Sequence, residues 1–211
     1  MRWLGVLMLQ TRFPRPPGDV GHPASWRMPV RWRTVEGASP RRVVHEADES
    51  LLAPFIDAAR ALQAEGACAI TASCGFLLRF QGRMQAALDI PLWTSSLLAL
   101  PALSRPGVVT VDAGSLTGTV GMDGDVPVEG LEPGCSLQRT LLEDLPTLDA
   151  EAAEADTVAA ALRLVRRHPD IDSLVLECTN LPPYAAAVQR ATARPVHHLM
   201  TFVHERWDAL P

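Results

Sequence analysis

The chain has 211 residues, 47% hydrophobic and 20% charged, with a formal net charge of −5 from 19 basic and 24 acidic residues. That balance suits one globular domain or two small lobes and offers no basic surface to nucleic acid or to an anionic membrane. All 19 basic residues are arginine, which excludes both the lysine aldimine of a pyridoxal phosphate enzyme and the lysine of a phosphate-binding loop.

Residues 4–10 are a continuous apolar run of strand length that stops at Gln10. Residues 11–29 carry prolines at 14, 16, 17, 23 and 29, so neither regular helix nor central strand fits them. Phe13 and Trp26 carry apolar surface that calls for burial, which makes this an ordered loop, either a wall or lid of a site or a contact between copies. Residues 30–35 alternate in the manner of a half-buried strand, with Val30, Trp32 and Thr34 on one face. A helical stripe follows over 49–65, through Leu51, Phe55, Ala59 and Leu62, with Gly66 as its cap. Residues 67–75 read as a short strand halted at Ser73-Cys74-Gly75, ahead of a helix-like run over 76–88. A strand at 90–93, a helical run opening at Thr94-Ser95-Ser96 and a strand at 108–111 come next. Residues 112–134 are glycine-rich and irregular, with 126–128 able to form a strand that opens a second lobe. Helices over 136–145 and 151–167 lead to a strand at 171–176 that ends in Glu177-Cys178-Thr179-Asn180. A helix over 181–192, a short strand at 195–198 and a closing helix through Trp207 complete the chain.

This alternation predicts an α/β protein with mostly parallel sheets covered on both faces. The unit around Cys74 recurs 104 positions later around Cys178, which predicts two similar lobes in pseudo-twofold relation. We place them at 1–112 and 113–211, with the closing helix free to pack back on the first. Each cysteine then lies at the carboxyl end of a strand and just before a helix start. Ligands bind at that edge of a parallel sheet, and helix N-termini favour carboxylates and thiolates. The two thiols are thus able to face each other across one small carboxylate-bearing molecule in the cleft.

The other candidates carry less. Cys68 and Cys135 read as packing residues, and the four cysteines show no metal-like spacing. His197, His198 and His204 follow no ligand motif, so no metal is expected. Glu177 is either a third titrating group or, as expected here, a side chain that points away and is satisfied by backbone N–H groups or an arginine, while Thr110 and Asp112 end a strand near the site. Free thiols, no cleavable leader and no span-length apolar run suggest a cytoplasmic protein without a membrane partner.

Three blocks, Ile70-Thr-Ala-Ser-Cys74-Gly75, Pro91-Leu-Trp-Thr94-Ser95-Ser96 and Leu174-Val-Leu-Glu-Cys178-Thr179-Asn180-Leu-Pro182, resemble the aspartate/glutamate racemase superfamily in order and spacing. That resemblance implies flavodoxin-like lobes, a cleft site, chemistry without cofactor or metal, and a homodimer. It implies that Cys74 and Cys178 exchange a proton with opposite faces of an α-carbon, as in a racemase or epimerase of an amino acid, a hydantoin or a related carbon acid. Gln10, Arg12, Ser73, Gly75, Thr94, Ser95, Thr179 and Asn180 are then the residues expected around the substrate. A cis–trans isomerase, a decarboxylase or a non-catalytic binding member of the superfamily stays open as an alternative. The chain departs from the glutamate racemases in three places: Met8-Leu9-Gln10-Thr11 lacks their carboxylate, Asn180 stands where they have histidine, and Glu177 replaces a small residue. These departures and the Pro-rich loop suggest an acid other than glutamate.

Overall fold

Every position of β1 (Leu4–Leu9) is buried, as in a parallel strand covered on both faces. It pairs in parallel with β2 (Val30–Val35) on one side and with β3 (Ala69–Ala72) on the other, and β3 pairs with β4 (Leu92–Trp93). The second sheet repeats the plan with β5 (Pro106–Thr110), β6 (Val128–Gly130), β7 (Ser173–Leu176) and β8 (Val196–His198). Its order is β6-β5-β7-β8 against β2-β1-β3-β4 in the first, and all its pairs are parallel. The structure, a computed structural model, describes residues 2–116 and 126–210. Residues 117–125 of the glycine-rich stretch lie outside those described.

The helices are α1 (Leu52–Ala64), α2 (Gln81–Gln85), α3 (Ala113–Leu116), α4 (Ser136–Leu142), α5 (Ala150–Arg167), α6 (Ala185–Thr192) and α7 (Leu199–Asp208). The Asp149 side chain accepts from Ala152 N at the start of α5, and Arg166 and Arg167 sit in its last turn, the polarity a helix dipole favours. The run expected as helix over 76–88 begins as a 3-10 turn, Gly75–Phe80, before α2. The run after Ser95 is also a 3-10 turn, Ser96–Ala102, with Pro101 inside it; proline has no N–H for a regular helical bond.

The lobe boundary differs from the expected one. β5 is hydrogen-bonded to β6 and β7 and so belongs to the second sheet, although the sequence reading assigns it to the first lobe. Gly107 allows this: a Cβ there would stand 2.8 Å from Ile171 and 2.9 Å from Leu164 on α5. One hydrophobic cluster runs through both lobes, and a second joins Leu4, Val6 and Met8 of β1 to Trp26 and Met28 of the Pro-rich loop and to Leu199, Phe202 and Val203 of α7. The last helix therefore covers the first sheet and straps the two lobes together. No described helix is long and apolar enough to cross a membrane.

Candidate active site

The carboxyl ends of β3 and β7 deliver two loops to one place. Thr179 Oγ1 in the second loop donates to the Ser73 carbonyl in the first at 2.6 Å. Ser73 Oγ accepts from Leu9 N at 2.8 Å, which fixes the first loop to the end of β1. Ser96 Oγ donates to the Leu176 carbonyl at 2.9 Å, one step before the second loop. These buried bonds hold Cys74 and Cys178 on the walls of a common cavity of about 30 Å3, space for a water or two. Ser73, Gly75, Thr179 and Asn180 line it with the thiols, and Leu9, Phe13, Val44, Phe76, Val111 and Leu141 supply an apolar surround. The thiols are buried, with only 8% and 7% of Cys74 and Cys178 exposed.

Burial and charge act on the thiols together. Burial pushes Cys74 up to about 12, and the nearby Glu177 carboxylate adds to it; the Phe76 N–H, Arg79 and Arg15 work against the rise. Cys178 is driven well above the ordinary thiol range by burial first and then by Glu177, with Cys74 and Asp19 adding and the Asn180 N–H opposing. Glu177 itself is fully buried and raised to about 7 by that burial, against the hydrogen bond from Thr110. Its Oε2 accepts from Thr110 Oγ1 at 2.7 Å, while Oε1 has no hydrogen-bond partner among the described residues. A carboxyl group so placed, with no arginine on it, is an unusual choice for a buried position. Position 75 has to be glycine to accommodate it, because a Cβ would stand 2.6 Å from the Glu177 carbonyl oxygen and closer still to Oε1.

The Pro-rich loop forms a wall of this site. Asp19, 1% exposed, pairs with Arg15 at 2.9 Å and accepts from Asn180 Nδ2 at 2.6 Å. Cys178 Sγ donates to Asn180 Oδ1 at 3.5 Å. Gly18, at φ +100°, lies against Pro183, whose Cα would be 2.8 Å from a Cβ at that position. The loop is thereby docked on the segment that follows Cys178.

Of the residues expected around a substrate, Ser73, Gly75, Thr179 and Asn180 reach the cavity with the two cysteines. Ser73 and Thr179 spend their hydroxyls on loop geometry. Gln10, Arg12, Thr94 and Ser95 do not line it. Gln10 turns to the surface, where its Oε1 accepts from Gly37 N at 2.9 Å. Arg12, with its side chain 71% exposed, pairs with Asp144 of the second lobe at 3.2 Å, next in sequence to the cavity-lining Phe13. Thr94 Oγ1 donates to Gln81, and Ser95 Oγ accepts from Leu97 N as the cap of a turn. Asp19 and the apolar residues of α4 escaped the sequence reading; Asp19 meets Asn180 161 positions away, and local spacing carries no trace of that contact, whereas its pairing with Arg15 is four positions apart. His198 Nδ1 accepts from Thr201 N at the start of α7 and His204 packs edge-on against Trp26, so both serve that helix. Among the described residues no His/Cys/Asp/Glu group is placed to hold a metal ion.

Solved structures share this fold. Unliganded arylmalonate decarboxylase matches with a TM-score of 0.61 at 19% identity, over 93% of this chain and 86% of that one. Picrophilus torridus aspartate racemase matches with a TM-score of 0.51 at 13% identity, over 93% of this chain and 88% of that one. A glutamate racemase from Bacillus anthracis does so at 0.53 and 15% identity, over 92% of this chain and 75% of that one. No family model matches the sequence. In sequence, the chain is 31% identical to a dimethylsulfoniopropionate lyase of Durusdinium, over 92% of its own length and 70% of that protein's. It is also 31% identical to dimethylsulfoniopropionate lyase 7 of Emiliania huxleyi, of which it spans 64%. Fold and sequence together make this chain a member of the dimethylsulfoniopropionate lyase family, built on the two-lobed fold of the aspartate/glutamate racemase superfamily.

Proposed function

We propose that the chain is a cofactor-independent lyase that takes the proton α to a carboxylate with a cysteine thiolate and expels a sulfonium group from the β-carbon. The observation that carries this reading is the pair of buried thiols on one cavity at the ends of β3 and β7. In a 3-sulfoniopropionate the α-C–H bond breaks as its proton goes to sulfur. Its electron pair becomes the carbon–carbon double bond, and the β-carbon–sulfur pair leaves with the thioether. The products are an acrylate, a neutral dialkyl sulfide and a cysteine thiol, which returns its proton to solvent. Backbone N–H groups of Gly75 and Thr179, both at the cavity, would receive the carboxylate as it gains enediolate character. Glu177 supports a cationic substrate: it puts a carboxyl group near both thiols, with one oxygen unsatisfied. A sulfonium beside it would offset that charge and draw the thiols down toward the neutral range.

A second reading, two-base racemisation or epimerisation, is favoured by the presence of two thiols, since elimination needs only one base. One experiment separates the two. The purified protein is incubated in heavy water with dimethylsulfoniopropionate, amino acids, hydroxy acids and maleate, and followed by proton NMR. Vinyl signals with released dimethyl sulfide support the lyase. Deuterium at an α-carbon without a vinyl product supports racemisation. Neither signal from any substrate contradicts both readings.

A further inference from the structure

The elimination leaves three side chains unused, Asp19 buried and Arg15 and Asn180 half-buried, and they join the Pro-rich loop to Cys178. Asp19 Oδ1 accepts from Arg15 at 2.9 Å and from Gly21 N at 2.7 Å, and its Oδ2 accepts from Asn180 Nδ2 at 2.6 Å. A carboxylate can only accept, so it fixes the Asn180 amide with its nitrogen toward Asp19 and its oxygen toward the cavity. That oxygen receives the Cys178 S–H at 3.5 Å. An amide oxygen can bond a thiol but not a thiolate, so it favours the proton-bearing form.

Cys74 meets different neighbours. Burial raises both thiols and each has one supporting backbone N–H, from Phe76 and from Asn180; what differs is that the positive charges of Arg79 and Arg15 favour the Cys74 thiolate, opposed by Glu177. The charged and titratable groups acting on Cys178 are Glu177 from its own strand end, Cys74 across the cavity and Asp19 from the loop, and all disfavour its thiolate. We propose that Asp19 is a positioning residue that, through Asn180, fixes Cys178 as the hydrogen-donating thiol and leaves Cys74 as the base. This assignment rests on the reading of the two cysteines as one acid/base pair. It gives the loop, whose Arg15 and Gly21 hold Asp19 in place, a part in deciding which thiol takes the substrate proton.

The test needs no turnover and so is scored even if the lyase reading fails. Alkylation of each thiol by iodoacetamide is followed by peptide mass spectrometry as a function of pH, in the parent, in Asp19→Asn and in Asn180→Ala. The parent is expected to show the Cys74 midpoint below that of Cys178. Both variants should lower the Cys178 midpoint by about one pH unit, roughly tenfold in thiolate at a given pH, and move Cys74 less. A general loosening of the fold would change the rates of both thiols and leave the gap between the midpoints intact. A Cys178 midpoint that stays or rises in a folded variant overturns the proposal, as does a parent in which Cys178 titrates first. Asn180→Ala keeps the Arg15–Asp19 pair, so it decides the matter if Asp19→Asn does not fold.

Discussion

Glu177 sets the electrostatics of the site, and its effects can be measured separately from turnover. Its carboxyl group is raised from 4.5 to about 7 by burial, so the folded protein binds a proton there that the unfolded chain has already lost between those values. Stability therefore falls as pH rises through that window, by up to about 3 kcal/mol. Glu177→Gln should remove this slope, giving a flatter dependence of the melting temperature on pH between 4.5 and 7 than the parent; an unchanged slope would mean that Glu177 is charged throughout. The same variant should lower the alkylation midpoints of both cysteines, because Glu177 raises both. Cys74 and Cys178 were legible in the sequence because each closes an apolar strand ahead of a helix, a local pattern that occurs twice. Glu177 was visible and does not line the cavity, but its partner was not foreseen: the pairing of β5 with β7 brings Thr110 onto it in place of backbone N–H groups or an arginine, and Oε1 is left unsatisfied among the described residues.

At the scale of elements, two glycines allow loops to meet. Gly75→Ala would force a Cβ against Glu177, and backbone of this kind does not yield easily. We expect a loss of about 1–3 kcal/mol in denaturant unfolding, with activity lost at temperatures where the fold survives. Gly18→Ala meets both a positive φ and the Pro183 backbone, so it should undock the Pro-rich loop and expose Trp26, read as a red shift in tryptophan fluorescence. An unshifted spectrum would show that the loop holds without that contact. The sequence marked this loop as ordered, because prolines forbade regular structure while Phe13 and Trp26 demanded burial. It did not show where the loop docks, since the Asp19–Asn180 bond joins residues 161 positions apart. Gln10 and Arg12 illustrate the converse: they sit at the right strand end, but side-chain direction sends one to Gly37 and the other to Asp144.

For the whole molecule, a cavity of about 30 Å3 between two strapped lobes is smaller than a 3-sulfoniopropionate, so the proposed elimination requires the cleft to open. Arg12 and Asp144 join the two lobes beside the cavity-lining Phe13, with Arg12 N and Phe13 N also donating to Asp144 Oδ1 at 2.6 and 3.3 Å. An exposed pair of this kind contributes about 0–1 kcal/mol, so Asp144→Asn should speed alkylation of both thiols by no more than about fivefold. The variant keeps a side chain suited to the positive φ of 54° at this position. Equal acceleration of both thiols with unmoved midpoints is the expected result, and acceleration of one alone would argue against a shared opening. Two lobes of like topology were legible from the 104-residue recurrence, whereas the side on which β5 falls was not, because strand pairing is settled by contacts far along the chain.

The most direct test of the account is the time course of dimethylsulfoniopropionate in heavy water with the parent, Cys74→Ala and Cys178→Ala. The parent is expected to give acrylate, and Cys74→Ala to lose the rate by on the order of 10²–10⁴-fold, as for removal of a general base. Cys178→Ala should lose less, since it removes a hydrogen-bond donor. Full activity in Cys74→Ala, or no acrylate from the parent, would contradict the account.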